Sequence, residues 1–173
     1  MRLIRALLAA LVAVTLGACG SLPRDPNGTL ERVQAQGVLR VGASPAHGLV
    51  VIDGNGDAND NSNGESDDNS SGESVGGREA ELAEGFAQEV GAEVRWVPGG
   101  ESELVAAMER GELDLIIGGL HDDSGWAEQI SLTRPYSEST EADGTTVRHV
   151  LAVPLGENAM LVRLERYLDE ADR

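Results

Sequence analysis

The chain has 173 residues, enough for one ordinary domain, and a net charge of −17 in which all 13 basic residues are arginine. So acidic a surface repels phosphate backbones, which argues against nucleic acid as a partner. Aromatic residues make up 3% of the chain, so its core must be assembled from Leu, Val, Ile and Ala.

Residues 1–18 read as a signal peptide: MRLIR is a basic n-region, and the apolar stretch after it is too short for an ordinary membrane span. The stretch ends in LGAC, residues 16–19, which resembles the lipobox of bacterial lipoproteins. Cys19 is the chain's only cysteine and cannot form an intrachain disulfide. It is therefore the expected lipidation site, anchoring the chain to the outer face of a membrane through a tether over residues 19–28. TLERVQAQG then predicts a helix with Thr29 as N-cap and Gly37 as stop. VLRVGAS, residues 38–44, is β-rich and reads as a buried strand, and residues 49–52 form a second apolar run.

Composition changes abruptly at residues 53–77, where Val75 is the single large aliphatic residue. Nothing there offsets the entropy of ordering, so the segment reads as a disordered acidic insert. Asp53, Asn55 and Asp57 follow the spacing that opens a calcium loop, but Ala58 and Gly64 stand where that loop needs glycine and glutamate. Order is expected again from Arg78. A helix burying Ala83, Phe86, Ala87 and Val90 is followed by the strand EVRWV (93–97). A helix burying Leu104, Ala107 and Met108 precedes the strand LDLIIGG (113–119). A short strand in QISLTRPY, a polar link SESTEADGTT, a strand at 147–154 and an amphipathic helix burying Leu161, Leu164 and Leu168 complete the chain. Short connections between alternating helices and strands predict an α/β fold with a mostly parallel sheet flanked by helices.

Five segments, TLERVQAQGVLRVGAS, ELAEGFAQEVGAEVRWVPGG, LVAAMERGELDLIIGGL, ISLTRPY and HVLAVPLGENAMLVRLERYL, resemble in that order the bacterial extracellular solute-binding proteins of family 3. These are receptors of ABC uptake transporters with the type 2 periplasmic-binding-protein fold. The resemblance implies two lobes that close on a solute, with the chain crossing out near LTRPY and returning near HVLAVP. Only the polar link separates those two segments here, so the expected architecture is a single lobe over residues 29–173, its second lobe absent. In amino-acid-binding members a T-x-T-x-x-R loop follows the Gly-Gly strand, and its arginine grips the ligand carboxylate as a planar fork. On that pattern His121, Asp123 and Trp126 replace the two threonines and the arginine, which points away from an α-amino acid.

In such sheets ligands gather at the carboxyl ends of the strands. Candidate ligand-binding residues are therefore Ser44, His47, Gly118, Gly119, His121, Asp122, Asp123, Trp126 and Arg134. His47, His121, Asp122 and Asp123 are also a candidate set for a divalent cation. Alternatively the aspartates hold a cationic solute, with Trp126 lending a π face, or one of them caps a short helix over SGWAEQ. His149 reads as structural, and Glu157 and Asn158 as residues favoured by the dipole of the last helix. No catalytic constellation stands out, so an enzyme is not expected. The expected function is an extracytoplasmic solute-binding module that hands a small solute or cation to an ABC transporter permease or a sensor. The alternative is a lobe that binds no ligand and docks a partner protein or self-associates.

Overall fold

A computed structural model describes residues 25–53, 74–140 and 144–171. Cys19, residues 1–18 expected as a signal peptide, and most of the acidic insert, including Asn55 and Asp57 of the calcium-like spacing, lie outside the described residues. Helices form where apolar residues recur at helical spacing: α1 (Thr29–Gln36), α2 (Arg78–Val90), α3 (Glu101–Glu109) and α4 (Asn158–Ala171). The strands are β1 (Val38–Ala43), β2 (Val51–Asp53), β3 (Ser74–Gly76), β4 (Glu93–Pro98), β5 (Leu115–His121), β6 (Ile130–Leu132), β7 (Ser137–Thr140) and β8 (Thr146–Pro154).

The main sheet has the order β4-β1-β5-β8-β6, with β7 also paired to β8. β4, β1 and β5 pair in parallel. β8 runs against β5, β6 and β7, so it alone opposes the common direction. Alternate residues of each central strand face opposite layers. Leu115 and Ile117 of β5, with Leu151 and Val153 of β8, pack under α1, α2 and α4, where Phe86, Met160 and Leu164 are fully buried. Ile116, Leu120, Val150 and Ala152 face Leu104, Val105 and Met108 of α3. The expected lobe is therefore present: a mostly parallel sheet flanked by helices, with no second lobe between β6 and β8.

Several local expectations are corrected. Gly28, not Thr29, is the N-cap of α1; Thr29 is the first helical residue, and its N–H donates to the buried Glu157 carboxylate at 2.7 Å. Glu157 also accepts the N–H of Asn27 at 2.8 Å, so its side chain caps α1 rather than serving its own helix. Asp25 returns the arrangement by accepting the Ala159 N–H of α4 at 2.6 Å. The insert is narrower than 53–77, because Asp53 pairs with Ser74 in the β2–β3 ladder and Gly77 leads straight into α2. The polar link is no mere connector: Ser137–Thr140 is β7, whose Thr140 pairs with Thr146 of β8. Its alternation is weak because its residues are largely exposed, and backbone pairing with β8 decides its form.

At the start of β5, Asp114 is fully buried and joins three elements. Arg32 of α1 and Arg40 of β1 both bond its carboxylate, Arg40 at 2.6 Å and 3.1 Å, with a third bond of 2.9 Å from the Arg40 N–H. Burial pushes this carboxyl up, but the bonds from Arg40 and Arg32 outweigh it and hold it below the usual carboxylate range.

Candidate functional site

The carboxyl ends of β1 and β5 lie side by side, as expected. The Ser44 N–H donates to the Ile117 carbonyl at 3.0 Å. A Cβ at Gly118 would stand 2.7 Å from the Ser44 Cβ, and one at Gly119 would stand 2.9 Å from the Ala46 Cβ. The glycine pair thus lets two rim loops touch, and Gly119 adopts φ 66°, a left-handed conformation that glycine reaches without strain. Between Ile116 and Leu120 the register against β8 shifts, which turns the last residues of β5 relative to its core-facing run.

The residue that organises this rim was not among the candidates. Glu79, fully buried in the first turn of α2, accepts the N–H groups of Gly118 and Gly119 at 2.7 Å and 3.1 Å. Its other oxygen accepts the Tyr136 hydroxyl at 2.5 Å. Burial pushes the Tyr136 phenol far above its ordinary range and the Glu79 carboxylate pushes it further, so it remains a donor. The exposed Arg78 guanidinium lies 5.9 Å from the centre of the Tyr136 ring. In sequence Glu79 resembles any acidic residue of a first helical turn, and nothing local marks it as buried.

His121 closes β5 as a strand residue rather than opening a loop. The Asp122 N–H donates to the Arg148 carbonyl at 3.1 Å. His121 and His149 are therefore the adjacent non-hydrogen-bonded pair of the antiparallel ladder, in which side chains come closest. Their ring centroids stand 5.5 Å apart at an interplanar angle of 75°. His149 is buried, and its Nε2 meets the Ser139 Oγ at 2.8 Å. The Asp122 carboxylate pairs with Arg148 at 2.6 Å.

The four-residue metal set His47, His121, Asp122 and Asp123 does not assemble. Among the described residues no group of three or more His, Cys, Asp or Glu side chains is placed to hold a metal ion. His47 and Asp123 are exposed on their loops, Asp122 is taken by Arg148, and His121 faces His149. SGWAEQ forms turns, not a helix, so neither aspartate has a helix to cap; the Ile130 N–H simply returns to the Trp126 carbonyl at 3.0 Å. Trp126 packs against the α3-side core, and its indole N–H bonds Glu101, which leaves its face only partly available. Arg134 points away from the rim: it bonds Glu165 at 3.1 Å and Asp169 at 2.9 Å, both on α4. Those two carboxylates raise its pKa, Asp169 the more strongly.

Comparison with known proteins places this architecture. The chain superposes on domain 1 of TmArgBP in its arginine-bound form with a TM-score of 0.63 at 20% identity, covering 80% of this chain and 97% of that one. It superposes on the L-arginine-bound amino acid ABC transporter substrate-binding protein AbpA from Streptococcus pneumoniae with a TM-score of 0.62 at 10% identity, covering 81% and 91%. These likenesses establish the fold alone. In sequence it is 29% identical over 124 residues to a membrane-bound lytic murein transglycosylase F from Vibrio parahaemolyticus; the match covers 71% of this chain but only 20% of that protein. Residues 64–171 match the family described as bacterial extracellular solute-binding proteins, family 3, and this chain belongs to that family.

Proposed function

We propose that this protein is an extracytoplasmic, lipid-anchored module that holds a small cationic solute on the open rim of a single lobe and passes it to a transporter or sensor. The observation that carries the reading is the completeness of the rim. The ends of β1 and β5 are joined through the Ser44 N–H and the Ile117 carbonyl, and Glu79 of α2 holds the Gly118 and Gly119 backbone of β5, while the β7–β8 hairpin closes the place where family members cross to a second lobe. Domain 1 of TmArgBP, itself a single domain, is described in an arginine-bound form, which supports binding by one lobe. The exposed Asp123 just beyond β5 favours a cation, and Trp126 in the place of the family's arginine disfavours carboxylate capture. The anchor rests on Cys19 within LGAC. No helix among the described residues is long and apolar enough to cross a membrane.

Thermal unfolding with arginine, lysine, a diamine and a quaternary ammonium tests the reading. A solute at 100 times its dissociation constant adds about 2.7 kcal/mol, which should raise the midpoint by about 10 °C. Asp123→Asn should abolish that rise. No shift with any solute, together with concentration-dependent association, would replace the receptor by a docking lobe.

A further inference from the structure

We infer that His121 and His149 form a two-histidine site for a borderline divalent transition metal such as Zn²⁺ or Ni²⁺. The site differs from the four-residue set that the loops suggested, and it does not depend on the solute reading. Directly opposed residues of a non-hydrogen-bonded pair bring their side chains within about 5 Å at Cβ. Two imidazoles that each give one nitrogen to a tetrahedral ion at about 2.0–2.1 Å have centroids about 5 Å apart. The observed 5.5 Å is that separation, already present across the β5–β8 ladder.

The second observation is independent of the spacing. His149 is only 8% exposed, and its Nδ1 is buried with no hydrogen-bond partner. Its other nitrogen, Nε2, faces the Ser139 Oγ at 2.8 Å. Ligating histidines characteristically hand their second N–H to an acceptor, which fixes the tautomer and frees the opposite lone pair. Ser139 fills that role on β7, and the Nδ1 lone pair is what it leaves free.

The neighbouring carboxylates are committed elsewhere, Asp122 to Arg148 and Glu79 to Gly118, Gly119 and Tyr136. The protein's donors are therefore two imidazoles, with water completing the shell at the half-exposed His121. Imidazole donors favour zinc, nickel and copper over the oxygen-seeking calcium and magnesium.

Isothermal titration of the full chain with ZnCl₂ at pH 7.5, without organic solute and with CaCl₂ in a parallel run, is the test. One zinc per chain is expected, weakened at least tenfold in both His121→Ala and His149→Ala and unchanged in His47→Ala. Ser139→Ala should weaken it about tenfold, the usual effect of losing such a supporting contact. Melting curves establish that each variant folds, and the half-exposed His121→Ala decides the matter if His149→Ala does not. The site is overturned if the wild-type chain binds no zinc, or if zinc binding survives within twofold when His121 is replaced.

Discussion

Two buried carboxylates carry disproportionate weight, and each makes a prediction. Asp114 is shielded from water and held by two guanidiniums that are themselves only about a quarter exposed. Asp114→Ala strands both arginines and should cost about 3 kcal/mol in urea unfolding. Its folded pKa lies below its unfolded value, so the native state favours the ionised form. That contribution is complete above about pH 4 and is lost as pH falls through the lower folded value. Asp114→Asn should therefore flatten the acid limb of the stability curve below about pH 4 and leave its shape at neutral pH unchanged. Glu79→Ala would leave two backbone N–H groups and a phenol without an acceptor, a loss of about 3 kcal/mol or more in the same assay. Neither residue announces itself in the sequence, because pattern reading treats charged side chains as solvated. Both are explained by partners more than 35 positions away, which spacing cannot reveal. His149 was hidden in another way: its strand was legible, but its partner, His121, depended on the register between β5 and β8.

At the level of elements, the helices and central strands were legible because their apolar residues repeat at the period of the structure. Ala83, Phe86, Ala87 and Val90 are all buried as their spacing requires. Legibility failed at the margins, in three places for three reasons. SGWAEQ is too short to hold a helix without packing, β7 has almost no buried face, and Thr29 resembles a cap while Gly28 takes that position. The exchanged caps join the first and last helices physically. Glu157→Ala should cost about 1–2 kcal/mol by stripping the start of α1 of its acceptor, and hydrogen exchange should show α1 opening before α4. The β7–β8 connection should instead tolerate change. Ten Gly/Ser residues inserted between Asp143 and Gly144 would lengthen a short connection about threefold and cost about 1 kcal/mol, readable as a small drop in the urea midpoint.

For the molecule as a whole, a net charge of −17 means that folding gathers like charges together. Raising ionic strength from 0.01 M to 0.15 M shortens the screening length from about 30 Å to about 8 Å. The thermal midpoint should rise by a few degrees over that range, and an acid-induced loss of Asp114 pairing should persist at either salt concentration. The closed hairpin where a second lobe would emerge also sets a clock. Two lobes that shut on a solute delay its escape, whereas an open rim has no door. A solute held at a dissociation constant of about 100 μM and arriving at about 10⁸ M⁻¹ s⁻¹ leaves within about 0.1 ms. Occupancy would then follow the surrounding concentration almost instantaneously, which suits a gauge of supply better than a scavenger.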